Sequence, residues 1–239
     1  MTRGSAETGR FAMILAAGRG ERMRPLSDAT PKPLLPAGGK PLIVWQIEAL
    51  AAAGFTELVI NVAHGADAIV DALGDGSRWR ARIRFSREPE PLETAGGIAT
   101  ASSLLPQAPT LIVSGDVWTT FDYRSLTPRI DAMIARLAPA RVHLVMVPNP
   151  PYHAEGDFSL HGERIMADGH PRLTFGNIGV YDMALFSDLP RGVKLRMLPL
   201  YRAWIGRGLV SGERFDGGWA NVGTPDDLAA LDASLAALR

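Results

Sequence analysis

Three features of the 239-residue sequence predict an α/β domain with helices layered on both faces of a mostly parallel mixed sheet. Short apolar runs bounded by turn residues alternate with helix-length stretches through the first half of the chain. Clear helix stops separate them: Gly54 after the first helical stretch and Gly74-Asp75-Gly76 after the second. The length also suffices for one large core. Strand-helix-strand repetition implies parallel strands joined by right-handed crossovers, a Rossmann-like three-layer pattern whose ligands sit at the carboxyl ends of the strands.

In order, Phe11 to Ala16, Glu57 to Val62, Ile83 to Ser86 and Thr110 to Ser114 read as buried strands. Pro41 to Ala53, Ala66 to Leu73 and Thr94 to Leu105 read as the helices between them. A helical stretch, Leu126 to Leu137, precedes a strand at Val142 to Val147. Residues 148–172 are rich in Pro, Gly, His and Asp with short polar strands and predict an insertion over the mouth of the sheet. Leu173 to Tyr181 returns as a strand, Leu195 to Ile205 as a helix and Trp219 to Val222 as a short strand. Pro225 to Leu238 closes the chain as a helix capped by Thr224. A disordered tail is expected over residues 1–10 and a single domain over residues 11–239.

Composition excludes several functions. The 25 basic and 25 acidic residues cancel, so no global field draws nucleic acid or an anionic membrane. With no cysteine there is neither disulfide nor thiolate metal site, and His64, His143, His153, His161 and His170 lack the paired spacing of a zinc site. A hard, oxygen-ligated cation is the metal to expect. No apolar stretch spans a bilayer and Met1 to Arg10 lacks a signal-peptide core, so a cytoplasmic protein is expected.

The most informative segment is Leu15-Ala16-Ala17-Gly18-Arg19-Gly20-Glu21-Arg22-Met23-Arg24-Pro25-Leu26, followed by Thr30-Pro31-Lys32-Pro33. It follows a strand and combines bare backbone at Gly18 and Gly20 with three arginines and a lysine, as a polyphosphate cradle requires. Main-chain N–H groups must approach the phosphate oxygens, and fixed cations must neutralise them. The spacing fits neither the P-loop nor the dinucleotide fingerprint, whose third glycine is replaced by Met23. A plain basic loop is the alternative. Only three residues are lysines against 22 arginines, so a lysine in this loop is itself informative.

Ser114-Gly115-Asp116-Val117 ends an apolar strand, which sets Asp116 at the carboxyl edge, where a carboxylate can hold Mg²⁺ against phosphate oxygens. The alternative is a cap on the segment near Asp122. Trp219-Ala220-Asn221-Val222-Gly223-Thr224 is a second strand-to-helix turn, in which Asn221 offers a neutral oxygen. Between them lies Glu88-Pro89-Glu90-Pro91-Leu92-Glu93-Thr94-Ala95-Gly96-Gly97, a stiff loop into a helix whose double glycine permits close packing. A helix N-terminus there favours a phosphate or base.

Together these segments resemble the sugar-1-phosphate nucleotidylyltransferases. That family's signature is a Leu-Ala-Gly/Ala-Gly-x-Gly-x-Arg-Met/Leu-x-Pro loop, a Pro-Lys-Pro segment, a Leu-x-Thr-Ala-Gly helix start, a Gly-Asp strand end and an Asp/Asn-Val/Thr-Gly-Thr close. All five occur in order between about Phe11 and Leu235. Gly115 to Thr119, Leu73 to Arg78, Glu90 to Thr94 and Gly156-Asp157-Phe158 are similar to the short N-acetylmuramate-1-phosphate uridylyltransferases of peptidoglycan recycling.

The resemblance implies an Mg²⁺-dependent transferase that joins UTP to a sugar 1-phosphate, best matched by N-acetylmuramate 1-phosphate, and releases pyrophosphate. Arg22 and Lys32 would grip the triphosphate, while Asp116 with Asn221 would bind Mg²⁺. The backbone of Leu15, Ala16, Ala17 and Gly18, with Gly20, Glu88, Glu93 and Thr94, would hold the nucleotide. Glu88 falls where relatives often carry a base-reading glutamine, and a carboxylate accepts the N3–H of uracil. Gly156 and Asn177 match sugar contacts. Asn221 departs from the usual aspartate, and the Glu-Lys-Pro segment of the thymidylyltransferase branch is missing before Leu173. Lys194 and Arg24 are the candidate cations for the sugar phosphate. Glucose or mannose 1-phosphate with dTTP or GTP, and a non-catalytic nucleotide-binding regulator, are the competing readings. Neither nucleic acid nor membrane is expected as a partner, and a monomer is expected.

Overall fold

The computed structural model describes residues 9–237. The chain runs β1 (Phe11–Leu15), a single helical turn α1 (Leu26–Ala29), the short hairpin β2 (Pro36–Ala37) and β3 (Lys40–Pro41), then α2 (Leu42–Ala52). It continues through β4 (Glu57–Val62), α3 (Ala66–Leu73), β5 (Arg82–Arg87), α4 (Glu93–Ala101), β6 (Pro109–Ser114), β7 (Val117–Thr119) and α5 (Thr127–Ile134). The second half contains β8 (Val142–Val147), β9 (Phe158–His161), β10 (Arg164–Met166), β11 (Arg172–Asp182), α6 (Met197–Gly206), β12 (Val210–Arg214), β13 (Trp219–Asn221) and α7 (Pro225–Ala236).

Among the described residues the main sheet has nine strands in the order β5-β4-β1-β6-β11-β8-β12-β10-β9. Pairing is parallel from β5 to β6 and again between β8 and β12; β11 runs against both its neighbours β6 and β8, and β10 against β12 and β9. β1 is central to the parallel half, and Ala12, Met13 and Ile14 are fully buried. Cover on both faces explains its unbroken apolar run.

Three apolar clusters build the layers. Residues of α2, α3 and α5 pack on one face with Ile14, Ile60 and Val113, while α4 and α6 pack on the other with Met13, Val59 and Ile112. The third cluster holds α7 against Met23, Leu35, Leu42 and Val222, so the closing helix braces the segment that follows β1. The Thr224–Asp227 capping box starts that helix.

One expectation is corrected and another is sharpened. Most of the expected tail lies outside the described residues, but Arg10 is pinned: its N–H donates to Gly54 O at 3.2 Å and its guanidinium pairs with Asp131 at 2.9 Å. The insertion divides. Its second part, β9 and β10, extends the sheet through pairing with β11 and β12, and only residues 148–157 remain as a loop at the mouth.

Candidate active site

The carboxyl ends of β1, β4, β5 and β6 open into a cavity of about 850 Å³ whose walls include Gly18, Asn61, Glu88, Leu92 to Thr94 and Asp116. A second cavity of about 470 Å³ adjoins it and is lined by Ala16, Gly20, Arg22, Lys32 and Gly223. The two share Leu15, Gly18, Glu21 and Asp116. All expected nucleotide residues and the trio Arg22, Lys32 and Asp116 thus line one or other of these neighbouring cavities.

Asp116 is fixed from both sides. Gly115 N–H donates to Leu15 O at 2.9 Å, and Val222 N–H donates to Asp116 O at 3.0 Å. The next residue, Val117, is clamped by the buried Gln46, whose side-chain amide donates to Val117 O and accepts from the Tyr123 hydroxyl. Lys32 Nζ forms an ion pair with the Asp116 carboxylate, their side chains 11% and 30% exposed. β13 pairs antiparallel with β7, setting Asn221 opposite Val117 and so beside Asp116. Arg22 lies against Gly223, where an added Cβ would meet its guanidinium at 3.2 Å.

Among the described residues, no group of three or more His, Cys, Asp or Glu gathers around one point. One carboxylate and one amide oxygen are what Asp116 and Asn221 offer. That incomplete set fits Mg²⁺, which keeps waters and takes substrate phosphates as its remaining ligands.

The base side is built on a buried chain. Asn61 Oδ1 accepts from Ala16 N–H at 2.9 Å, Asn61 Nδ2 donates to Glu88 Oε1 at 2.7 Å, and Glu88 Oε2 accepts from Leu92 N–H at 3.0 Å. Glu88 is 6% exposed, and burial pushes its carboxyl above its ordinary 4.5, against the opposing pull of Asn61 and Leu92. Both oxygens that were to read a base are therefore already engaged by the protein. The double glycine of α4 finds separate reasons: a Cβ at Gly96 would lie 2.2 Å from Val193 O, and one at Gly97 would lie 2.7 Å from Asn61 Nδ2. The N-terminus of α4 is less open than expected, since Ala95 and Gly96 N–H both donate to Leu195 O. Glu93 has φ 61, in the left-handed region, and shapes the turn that lines the cavity.

Of the expected sugar-side residues, the two candidate cations are each held by a carboxylate of their own. Lys194 lines the larger cavity and pairs with Glu90, on the base side. Arg24 pairs with Asp28 at 3.2 Å, both exposed. Gly156 is buried, its φ 62 and its closeness to Asn149 and Leu173 O requiring glycine. Asn177, φ 57, sits at the bulge where the β11–β8 register shifts.

Sequence reasoning missed Asn61, Gln46 and Tyr152. Tyr152 stands on the 148–157 loop, 59% exposed, and lines a third cavity of about 490 Å³ with Asn221, Asp227 and Trp219. Partial burial of its hydroxyl and then the Asp227 carboxylate hold its pKa above 10.0; Arg22 and an Asn221 hydrogen bond pull it down. Its loop is braced by Asn149, which donates to Ala154 O at 2.9 Å and Arg172 O at 3.1 Å, and by Asp157, which accepts from Phe175 N–H at 2.8 Å. No helix among the described residues is long and apolar enough to cross a membrane.

Residues 11–154 match the family described as Nucleotidyl transferase. The N-acetylmuramate alpha-1-phosphate uridylyltransferase of Neisseria meningitidis serogroup B is 46% identical over 217 residues, covering 89% of this chain and 93% of that protein. The protein of the same name from Caulobacter vibrioides is 30% identical over 240 residues, covering 95% and 97%. A mannose-1-phosphate guanyltransferase of Emericella nidulans is 40% identical over 118 residues, 48% of this chain and 32% of that protein. A crystal structure of a putative glucose-1-phosphate thymidylyltransferase from Bacillus anthracis superposes with TM-score 0.82 at 19% identity, covering 95% of each chain, a likeness of fold.

Proposed function

The chain belongs to the nucleotidyl transferase family, and from that premise we propose that it couples UTP with a sugar 1-phosphate, N-acetylmuramate 1-phosphate, to give the UDP-sugar and pyrophosphate. Support for the substrate comes from the two relatives of that name, which match over nearly their whole length, whereas the guanyltransferase likeness covers half of this chain. The observation that carries the chemistry is that two cavities share Asp116 in their walls, one walled also by the base-side turn and the other by Arg22 and Lys32.

In this reading a phosphate oxygen of the acceptor attacks the α-phosphorus of UTP in line and expels pyrophosphate. No general base is required, because a phosphate monoester with its second pKa near 6 is already largely dianionic at neutral pH. The protein contributes positioning and charge. Lys32 and Arg22 neutralise the charge that grows on the leaving pyrophosphate, and the N–H groups around Gly18 and Gly20 orient the triphosphate. Asp116 and Asn221 would hold Mg²⁺, which supplies further neutralisation of phosphate oxygens. Tyr152, on the braced loop beside Asn221, would offer the acceptor an exposed ring and a hydroxyl.

A matrix of nucleoside triphosphates against sugar 1-phosphates, scored by pyrophosphate release with Mg²⁺, tests this. UTP with N-acetylmuramate 1-phosphate should be the best pair. A better rate with GTP and mannose 1-phosphate, or with dTTP and glucose 1-phosphate, would overturn the substrate assignment.

A further inference from the structure

One nucleotide must be gripped at both ends in the reaction proposed above, and a single buried chain of hydrogen bonds connects the two grips. Ala16 N–H, in the triphosphate loop, reaches Asn61 at the end of β4; Asn61 reaches Glu88 at the end of β5; Glu88 reaches Leu92 N–H at the base-side turn. The two side chains are 4% and 6% exposed, and α4 passes them at Gly97 because any Cβ there would intrude within 2.8 Å of Glu88 Oε1. Direction is forced along the chain. Both end groups are backbone donors, so Asn61 must turn its carbonyl to Ala16 and its amide N–H to Glu88, and Glu88 must accept at both oxygens. Such a chain has one satisfied polarity, and reversing any single member orphans a buried group.

We propose that Asn61 and Glu88 are positioning residues, a latch that couples the triphosphate loop to the base-side turn, with Glu88 acting through Asn61 and Leu92 instead of reading the base. This rests on the uridylyltransferase reading of the site. Its consequence is that the polyphosphate and base ends of UTP bind cooperatively.

Reversal of polarity separates a latch from a reader. In Glu88→Gln the new amide can accept from Leu92 N–H but turns its own N–H groups on the Asn61 amide. Asn61→Asp accepts from Ala16 N–H but sets two acceptors face to face at Glu88. Combined, the two substitutions pair every donor with an acceptor again. Each single variant should raise the KM for UTP about tenfold or more with a smaller change in kcat, and the double variant should return to within about threefold of wild type. Calorimetric titration with inorganic tripolyphosphate should change less than about threefold throughout, because that probe engages only one grip. Melting curves report folding, and if a single variant does not fold, recovery of both folding and UTP affinity in the double variant supports the latch equally. A double variant no better than its worse parent overturns the latch, as does a UTP-to-CTP preference that changes with residue 88 whatever stands at 61. An inactive wild type with UTP would sink the functional reading; an active wild type with an unrescued double variant sinks the latch alone.

Discussion

Replacing Lys32 with alanine isolates the charge that pairs with Asp116 in the smaller cavity. The ammonium pairs with Asp116 in a setting where the lysine side chain is 11% exposed and its partner 30% exposed. Alanine retains the Cβ, the atom nearest to Gly20, where an added Cβ would stand 3.0 Å away, so the loop keeps its local packing. A partly exposed ion pair contributes up to about 1 kcal/mol to folding. For a domain of this size that is about 2–4 °C in Tm. A fixed charge aimed at developing negative charge is worth about 2.7–4 kcal/mol in the transition state, or roughly 100- to 1000-fold in kcat. Lys32→Ala should therefore melt within a few degrees of wild type while pyrophosphate release falls at least a hundredfold, measured with UTP, Mg²⁺ and N-acetylmuramate 1-phosphate. Near-normal release would refute the reasoning. So would a raised KM for UTP with kcat intact, since that is the mark of uniform binding without transition-state stabilisation.

Two glycines should behave in opposite ways. Gly97→Ala drives a Cβ into the Asn61–Glu88 contact and should cost about 1–3 kcal/mol by thermal melting; Gly18→Ala meets nothing within 4 Å and should melt like wild type yet bind UTP more weakly in calorimetry, because a Cβ holds phosphate off the backbone. Equal melting of the two would contradict the packing described. Burial raises the Glu88 carboxyl above 4.5, so the folded state takes up its proton before the unfolded state does as pH falls. Its contribution to stability is therefore full below 4.5 and lost as pH rises through the folded-state pKa. The Tm difference between wild type and Glu88→Gln should move in favour of wild type between pH 7 and 4.5, and a flat or opposite trend in melting curves would exclude the raised pKa. Tyr152→Ala should raise the KM for the sugar phosphate severalfold and leave that for UTP unchanged, with Tyr152→Phe intermediate; steady-state kinetics showing an effect on UTP alone would remove Tyr152 from the acceptor side.

Local signals carried the parallel half of the fold into view. β1, β4 and β6 are buried on both faces and read as continuous apolar runs, and their ends bear Gly18 and Asp116. β12 escaped notice because its sequence, Val-Ser-Gly-Glu-Arg, has no apolar period. Its Gly212 is dictated by the neighbouring strand: a Cβ would lie 2.8 Å from Leu144 O. The pairing that brings Asn221 to Asp116 spans more than a hundred residues of sequence and depends on register, which no local pattern encodes. Asn61 and Gln46 were invisible for a related reason. Each is a buried polar residue within a mainly apolar element, and only the tertiary contacts to Ala16 and Val117 give it a task. The sugar side was least legible because positive φ at Gly156 and Asn177 is a property of a bulge and a turn.

The site is held by backbone more than by side-chain charge, and this bears on Asn221 at the proposed metal position. Asp116 is braced at Gly115 N–H, at its own carbonyl and through Gln46 at Val117 O, so its carboxylate keeps its place whatever its partner does. With that carboxylate already paired to Lys32, an aspartate at position 221 would add a second negative charge beside it, with Asp227 close by in the capping box and Arg22 as the facing cation. Like charges that close raise each other's cost. An asparagine supplies a metal-competent oxygen without that repulsion, and its amide N–H can meet the Tyr152 hydroxyl, leaving the carbonyl free for the cation. On the proposed metal site, the asparagine at 221 and the tyrosine on the braced loop would then form one arrangement, in which a neutral side chain is oriented by a neighbour instead of being held by charge.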